Sequence, residues 1–215
     1  MNLISEKLEK YIESHTQPEN EVLKELNRFT KLKVLNSRML SGHIQGQVLK
    51  MLCYMIKPQF VLEIGTYTGY SAICMAEGLE NNCEIHTIEI DDELESIIQK
   101  YIKLSNNEDK IKCFIGDAKT IVKNLNYTYD LAFIDGDKRE YLDYYHLVFD
   151  KIKPGGFIIA DNVLWNGKVI EELQPNDLYT KGILDFNSFV MNDNRVENVI
   201  FPIRDGLMVL RKKFK

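Results

Sequence analysis

Two acidic segments could carry metal chemistry. Asp135-Gly136-Asp137-Lys138 and Asp161-Asn162 each follow a short apolar run, one ending at Ile134 and the other at Ala160. Two carboxylates and a neighbouring amide oxygen form a hard-oxygen donor set suited to Mg²⁺, Mn²⁺ or Ca²⁺. Alone, either aspartate also reads as the cap of a following helix. The repetition of the pattern, with Asn162 adjacent, favours the cation.

A second group has the character of a nucleoside site. Glu63-Ile64-Gly65-Thr66-Tyr67-Thr68-Gly69 places two glycines around a strand-to-helix turn. The spacing is G-x-x-x-G, without the further glycine that lets backbone approach a pyrophosphate. NAD, FAD and ATP are disfavoured, and a phosphate-free adenosine ligand fits better. The same glycine pair also serves as a plain tight turn. Glu89 ends the next apolar run, where an acid accepts hydrogen bonds from ribose hydroxyls, and Asp91 reads as a helix cap. In Gly116-Asp117-Ala118 the small residues leave room for a flat base, and Asp117 could meet an adenine amine.

These residues need a frame that brings strand ends to one edge. Short apolar runs at Phe60–Ile64, Ile85–Ile90, Ile111–Ile115, Leu131–Ile134 and Phe157–Ala160 alternate with helical patterns at Tyr70–Leu79, Glu93–Leu104, Ala118–Asn124 and Arg139–Ile152. Continuous apolar runs predict strands covered on both faces, and the alternation predicts a doubly wound α/β sheet. A helix around Ile183–Met191 then leads to Val196–Ile203 and Leu207–Arg211, joined by Arg204-Asp205-Gly206, a hairpin signal. The expectation is a Rossmann-like seven-stranded mixed sheet with one antiparallel strand and helices on both faces. Ahead of it, residues 1–57 read as a helical extension. Its first stretch carries Leu3, Leu8, Tyr11 and Ile12. The second runs from Glu19 through Val22, Leu23, Leu26 and Phe29, and the third holds Val48, Leu49, Leu52, Tyr54, Met55 and Ile56. Residues 1–215 thus form a single domain, with 58–215 as its core.

The 215 residues carry a net charge of −5, with 45% hydrophobic and 27% charged side chains. That balance fits a globular chain and argues against a broad polyanion-binding face. The basic cluster Arg211, Lys212, Lys213 and Lys215 reads as a solubilising tail, or else as a small binding patch. Cys53, Cys74, Cys83 and Cys113 form no C-x-x-C pair, so they read as reduced thiols of a cytoplasmic protein. The first residues lack the apolar core of a signal peptide, and no run reaches the length of a membrane span.

Together the motifs Glu63-x-Gly65-Thr66-x-x-Gly69-x-Ser71, Gly116-Asp117-Ala118, Asp135-x-Asp137-Lys138 and Asp161-Asn162-Val163-Leu164-Trp165-Asn166-Gly167 resemble the cation-dependent O-methyltransferases. These are class I S-adenosylmethionine enzymes that include the caffeoyl-CoA and catechol O-methyltransferases and small bacterial relatives. The likeness runs from about Met39 to Lys213. It implies that Met39, Ser41, Glu63, Gly65, Thr66, Ser71, Glu89, Asp117, Ala118 and Asp135 line an S-adenosylmethionine site. It also implies a divalent cation on Asp135, Asp161 and Asn162, with Lys138 as the base. Asp137, Trp165 and Asn166 would border the acceptor, and the protein would be a homodimer. The implied reaction moves a methyl group to a hydroxyl of a vicinal diol, a catechol-type small molecule. The alternative acceptor is a hydroxyuridine at a tRNA wobble position. A solvated Lys138 at a helix start and a non-catalytic binding module are the plainer readings.

Overall fold

The structure is a computed structural model that describes residues 5–214; Leu3, the first apolar residue of the N-terminal stretch, lies outside them. Seven strands form a mixed sheet in the order β3-β2-β1-β4-β5-β7-β6. Among the described residues, 5–118 and 119–214 form two compact units.

In the first unit, α1 (Glu6–Ser14) starts at Ser5, and none of its residues is buried. Helix α2 (Glu21–Lys33) begins later than its apolar pattern suggests, because the Asn20 side chain accepts the Leu23 N–H at 2.9 Å and caps it. It buries Leu23 and Leu26. Helix α3 (Gly42–Ile56) buries Leu49, Leu52 and Cys53. Tyr54 and Met55 face outward, so the buried stripe is narrower than the apolar run.

Strand β1 (Phe60–Ile64) is followed by α4 (Tyr70–Glu77), β2 (Glu84–Glu89), α5 (Glu95–Leu104) and β3 (Ile111–Ile115). The β1–β2 and β2–β3 pairs are parallel, with Ile64 opposite Ile88 and Glu89 opposite Ile115. This register sets the turn after β1 beside the end of β2. Strands β1 and β2 are buried along most of their length, as their apolar runs predict. Strand β3 is not, because it forms an edge of the sheet, with Lys112 exposed.

Helix α6 (Ala118–Asn124) starts on the last residue of the first unit, and the second unit continues with β4 (Tyr129–Ile134), α7 (Tyr141–Phe149), β5 (Ile152–Ala160), α8 (Leu178–Asn192), β6 (Val196–Phe201) and β7 (Leu207–Lys212). Strands β4 and β5 pair in parallel with Ile134 opposite Ala160. Asp135 and Asp161 therefore leave adjacent strand ends. Strand β7 is antiparallel to both β5 and β6, the one antiparallel strand expected.

Two elements and the C-terminal cluster depart most from the sequence reading. The helix expected over Arg139–Ile152 is a 3-10 turn, Lys138–Glu140, followed by the shorter α7. Strand β5 starts well before Phe157 and runs through Pro154-Gly155-Gly156, which reads locally as a turn. A register shift between Tyr129 and Leu131 and a φ of 82° at Gly155 accommodate that stretch. The basic C-terminal cluster is no loose tail over Arg211 and Lys212. Both lie in β7, and Lys212 Nζ donates to the carbonyls of Phe149 and Ile152 at 2.8 Å each.

None of the four cysteines is in a disulfide; Cys53 and Cys74 are buried and Cys83 and Cys113 half-buried. Among the described residues no helix is long and apolar enough to cross a membrane.

Candidate active site

The turn between β1 and α4 is built by its backbone. Gly65 and Gly69 have φ of 100° and 89°, a region that suits glycine. The N–H groups of Gly65 and Thr66 both donate to Ile88 O, at 3.0 and 3.2 Å, which fastens the turn to β2. Glu63 is fully buried and accepts the hydroxyls of Ser71 and Thr87 at 2.5 Å each. That one carboxylate joins the end of β1 to the first turn of α4 and to β2. Thr66 is buried, and its hydroxyl meets that of Thr87.

Glu89 ends β2 and is 6% exposed. One carboxylate oxygen accepts the Tyr67 N–H at 2.6 Å and the other accepts the Asp91 N–H at 3.0 Å. Burial pushes its pKa above the usual carboxylate range, while the Asp91 and Tyr67 donors pull it back. Asp91 is a cap, as expected, accepting the Glu93 N–H at 3.0 Å.

Ser41 is buried just ahead of α3, whereas Met39 is exposed in a preceding 3-10 turn. Ala118 is buried at the start of α6, and Asp117 before it is exposed. The sequence reading passed over Thr87 and the Tyr67 N–H. A threonine facing inward in an apolar strand was the available signal for the first.

The second unit holds the acidic cluster. Lys138 Nζ donates to Asp135 Oδ1 and to the Tyr141 hydroxyl, both at 2.7 Å. Lys138 is 8% exposed, so it is no solvated lysine. Asp161 is 2% exposed, and its Oδ1 accepts the Asn162 N–H at 2.7 Å. Neither Asp135 nor Asp161 is the N-cap of a helix; Asp137 caps the 3-10 turn after β4. Burial raises the Asp135 carboxyl above its usual range, Lys138 opposes that shift, and Asp161 adds to it.

Among the described residues no group of three or more His, Cys, Asp or Glu side chains is placed to hold a metal. The expected set holds two acids and an amide. Asp161 opposes the ionisation of Asp135 from the adjacent strand end, and a dication there would relieve that, so these residues fit one.

The remaining expected residues lie nearby in the chain. The Asp137 carboxylate is engaged by Arg139, through its N–H at 2.9 Å and Nε at 3.0 Å. Trp165 stacks on Tyr179, with ring centroids 6.2 Å apart and planes at 14°. The Arg139 guanidinium lies 4.9 Å from the Tyr179 centroid. Asn162, Trp165 and Asn166 all have positive φ, so the loop is tightly coiled. It is fastened to the β6–β7 turn. Val163 N donates to Gly206 O at 3.1 Å, Leu164 N to Asp205 O at 2.9 Å, and Asn166 N to the Asp205 side chain.

Tyr141 was missed by the sequence reading and is the centre of the cluster. It is fully buried, its hydroxyl accepts from Lys138, and it lies 3.0 Å from Asp161 O and 3.2 Å from Ile134 O. A groove of about 720 Å³ on α7 and α8, lined by Leu142, Phe189, Asp193 and Arg195, includes none of the expected site residues.

The profile of the O-methyltransferase family matches residues 13–213. The caffeoyl-CoA O-methyltransferase of Stellaria longipes is 31% identical over 224 residues, covering 99% of this chain and 92% of its own. The structure resembles that of the O-methyltransferase from Bacillus cereus in complex with SAH, with TM-score 0.90 and 26% identity, covering 96% of this chain and 97% of that one. An SAH-bound methyltransferase from Podospora anserina matches at TM-score 0.88 and 26% identity, over 97% and 94% of the two chains. With its sheet order and these likenesses, the chain belongs to the O-methyltransferase family of class I S-adenosylmethionine-dependent enzymes.

Proposed function

We propose that this enzyme is cation-dependent and methylates one hydroxyl of a vicinal diol, a catechol-type small molecule. The observation that carries the reading is the buried Lys138–Asp135 contact at 2.7 Å, with Asp161 and Asn162 at the adjacent strand end. The Stellaria relative's name, with its caffeoyl ester, supports a catechol-bearing acceptor.

When bound, S-adenosylmethionine supplies an electrophilic methyl group on a sulfonium, and a divalent cation supplies positive charge that makes a nearby hydroxyl acidic at neutral pH. Glu89 accepts hydrogen bonds from the ribose hydroxyls, and the Gly65–Gly69 turn gives the cofactor close access to backbone. Met39, Ser41, Thr66, Asp117 and Ala118 complete the cofactor's surroundings, and Glu63 and Ser71 brace the turn. Asp135, Asp161 and Asn162 would offer three oxygens to the cation, a donor set of the hard-oxygen kind it prefers. Lys138 would take the proton that leaves the acceptor hydroxyl as that oxygen is methylated. The Trp165 ring borders a flat acceptor, with Asp137 and Asn166 beside it. We also propose a single working domain, a homodimer and a cytoplasmic setting, the last supported by four cysteines outside any disulfide.

The test is a screen with labelled cofactor against a catechol, its matching monophenol and hydroxyuridine-containing tRNA, with Mg²⁺ and with chelator. The expected result is fast, Mg²⁺-dependent methylation of the catechol alone. Equal rates on catechol and monophenol would remove the vicinal-diol requirement. Activity undiminished in chelator would remove the cation. Fast transfer to tRNA would replace the acceptor, and no turnover on any acceptor would favour a binding module.

A further inference from the structure

We propose that Tyr141 is a positioning residue that aims the Lys138 amine; this rests on the reading of Lys138 as proton acceptor. A lysine tip ends a flexible four-carbon stem, so burial alone does not set its direction. Here two contacts do. Nζ donates to the Tyr141 hydroxyl and to Asp135 Oδ1, each at 2.7 Å. The nitrogen is tetrahedral. One direction holds its carbon, two are committed to these bonds, and one remains. The two bonds therefore fix where the remaining direction on Nζ points.

Tyr141 can act as the reference because it is itself immobile. The side chain is fully buried, and the ring packs edge-on against Phe186, with centroids 5.6 Å apart at 85°. Its hydroxyl sits against Asp161 O at 3.0 Å and Ile134 O at 3.2 Å. Ile134 precedes Asp135, and Asp161 carries the second acid. One hydroxyl therefore registers the amine against both strand ends that bear the carboxylates. The Lys138 backbone is held from the other side by α8, where a Cβ on Gly182 would lie 2.3 Å from Lys138 O.

The test is Tyr141→Phe, which keeps the ring and removes the hydroxyl. With catechol as acceptor, kcat should fall about 10- to 100-fold with KM for catechol and cofactor unchanged. The double variant Lys138→Met/Tyr141→Phe should be no slower than Lys138→Met alone, since Tyr141 acts through that amine. Tyr145→Phe is the control for a lost tyrosine hydroxyl on the same helix. It removes the bond to Asp193 at 2.8 Å and should keep the wild-type kcat. A second readout needs no turnover. In lysine-labelled protein the two Hε protons of Lys138, assigned by their loss in Lys138→Met, should differ in shift and should converge in Tyr141→Phe. A wild-type kcat in Tyr141→Phe, additive losses in the double variant, or unchanged Hε shifts would overturn the proposal. If Lys138→Met keeps the wild-type kcat, the base reading fails instead, and the Hε shifts alone decide whether Tyr141 holds the side chain.

Discussion

The Glu89 carboxylate holds the backbone N–H of Tyr67 at 2.6 Å, across the gap between the end of β2 and the turn after β1. Tyr67 has a φ of 50°, a strained value for an aromatic residue. The acid proposed to bind the ribose thus also steadies the turn after β1. The two oxygens accept the backbone N–H groups of Tyr67 and Asp91, and a carboxylate has lone-pair capacity beyond these for a ligand.

Glu89→Ala should therefore weaken S-adenosylmethionine binding. Charge-assisted hydrogen bonds are worth about 1.5–3 kcal/mol, so affinity should drop about 10- to 150-fold. Calorimetry checks this, and an unchanged Kd would take Glu89 out of the cofactor site.

Asp161→Ala should remove Mn²⁺ binding, followed by electron paramagnetic resonance, while leaving the cofactor's Kd within about twofold. The Asp161 N–H bond to Ile134 O at 3.0 Å is made by backbone and survives the change, so the strand end should persist. Full Mn²⁺ affinity in the variant would rule out Asp161 as a ligand.

Gly182→Ala tests a competition of signs. In a helix interior alanine is favoured over glycine by about 1 kcal/mol. Here the new Cβ would meet Lys138 O at 2.3 Å and Arg139 Cα at 2.9 Å, both backbone atoms that cannot swing aside. Overpacking of this kind costs about 1–3 kcal/mol and should win. The variant should be less stable in urea, and its kcat should fall by about 100-fold as the Lys138 turn shifts. A more stable and fully active variant would show that α8 yields easily.

The acid limb of stability should run through Asp193. Arg195 and the Tyr145 hydroxyl bond its carboxylate, and Arg195 above all holds its pKa well below the usual range. A depressed folded pKa adds stability that is full above the unfolded value near 4 and is lost as pH falls towards the folded value. Arg195 is half-exposed, so the contribution is discounted to about 1–2 kcal/mol. Asp193→Asn should lose that amount at pH 7, and the gap to wild type should close below about pH 4. Urea titrations at both pH values check it; a gap that persists in acid would assign the loss to packing.

Much of this was legible in the sequence because strand ends announce themselves. Ile134 and Ala160 close apolar runs, and an acid directly after such a run sits at the ligand edge of a parallel sheet. Glu89 and the Gly65–Gly69 turn were readable for the same reason. Tyr141 was not. It stands in a helix beside Tyr144 and Tyr145, and only the path of the chain decides which hydroxyl meets Lys138. The early start of β5 was hidden by Pro154-Gly155-Gly156, where pairing with β4 outweighs local turn preference. The tight fit of Gly182 against the Lys138 turn is not legible in the sequence, since a close backbone approach leaves no mark on the neighbouring residues.

The clasp between loop 162–167 and the Asp205–Gly206 corner has a consequence for redesign. Three backbone N–H groups of that loop end on two residues far along the chain. A Cβ on Gly206 would also collide with Leu164 at 2.5 Å. The Trp165 loop and the corner that grips it form one hydrogen-bonded unit. Grafting the loop alone from a relative would deliver its side chains without the anchor that shapes them, whereas moving both segments would carry loop and anchor together.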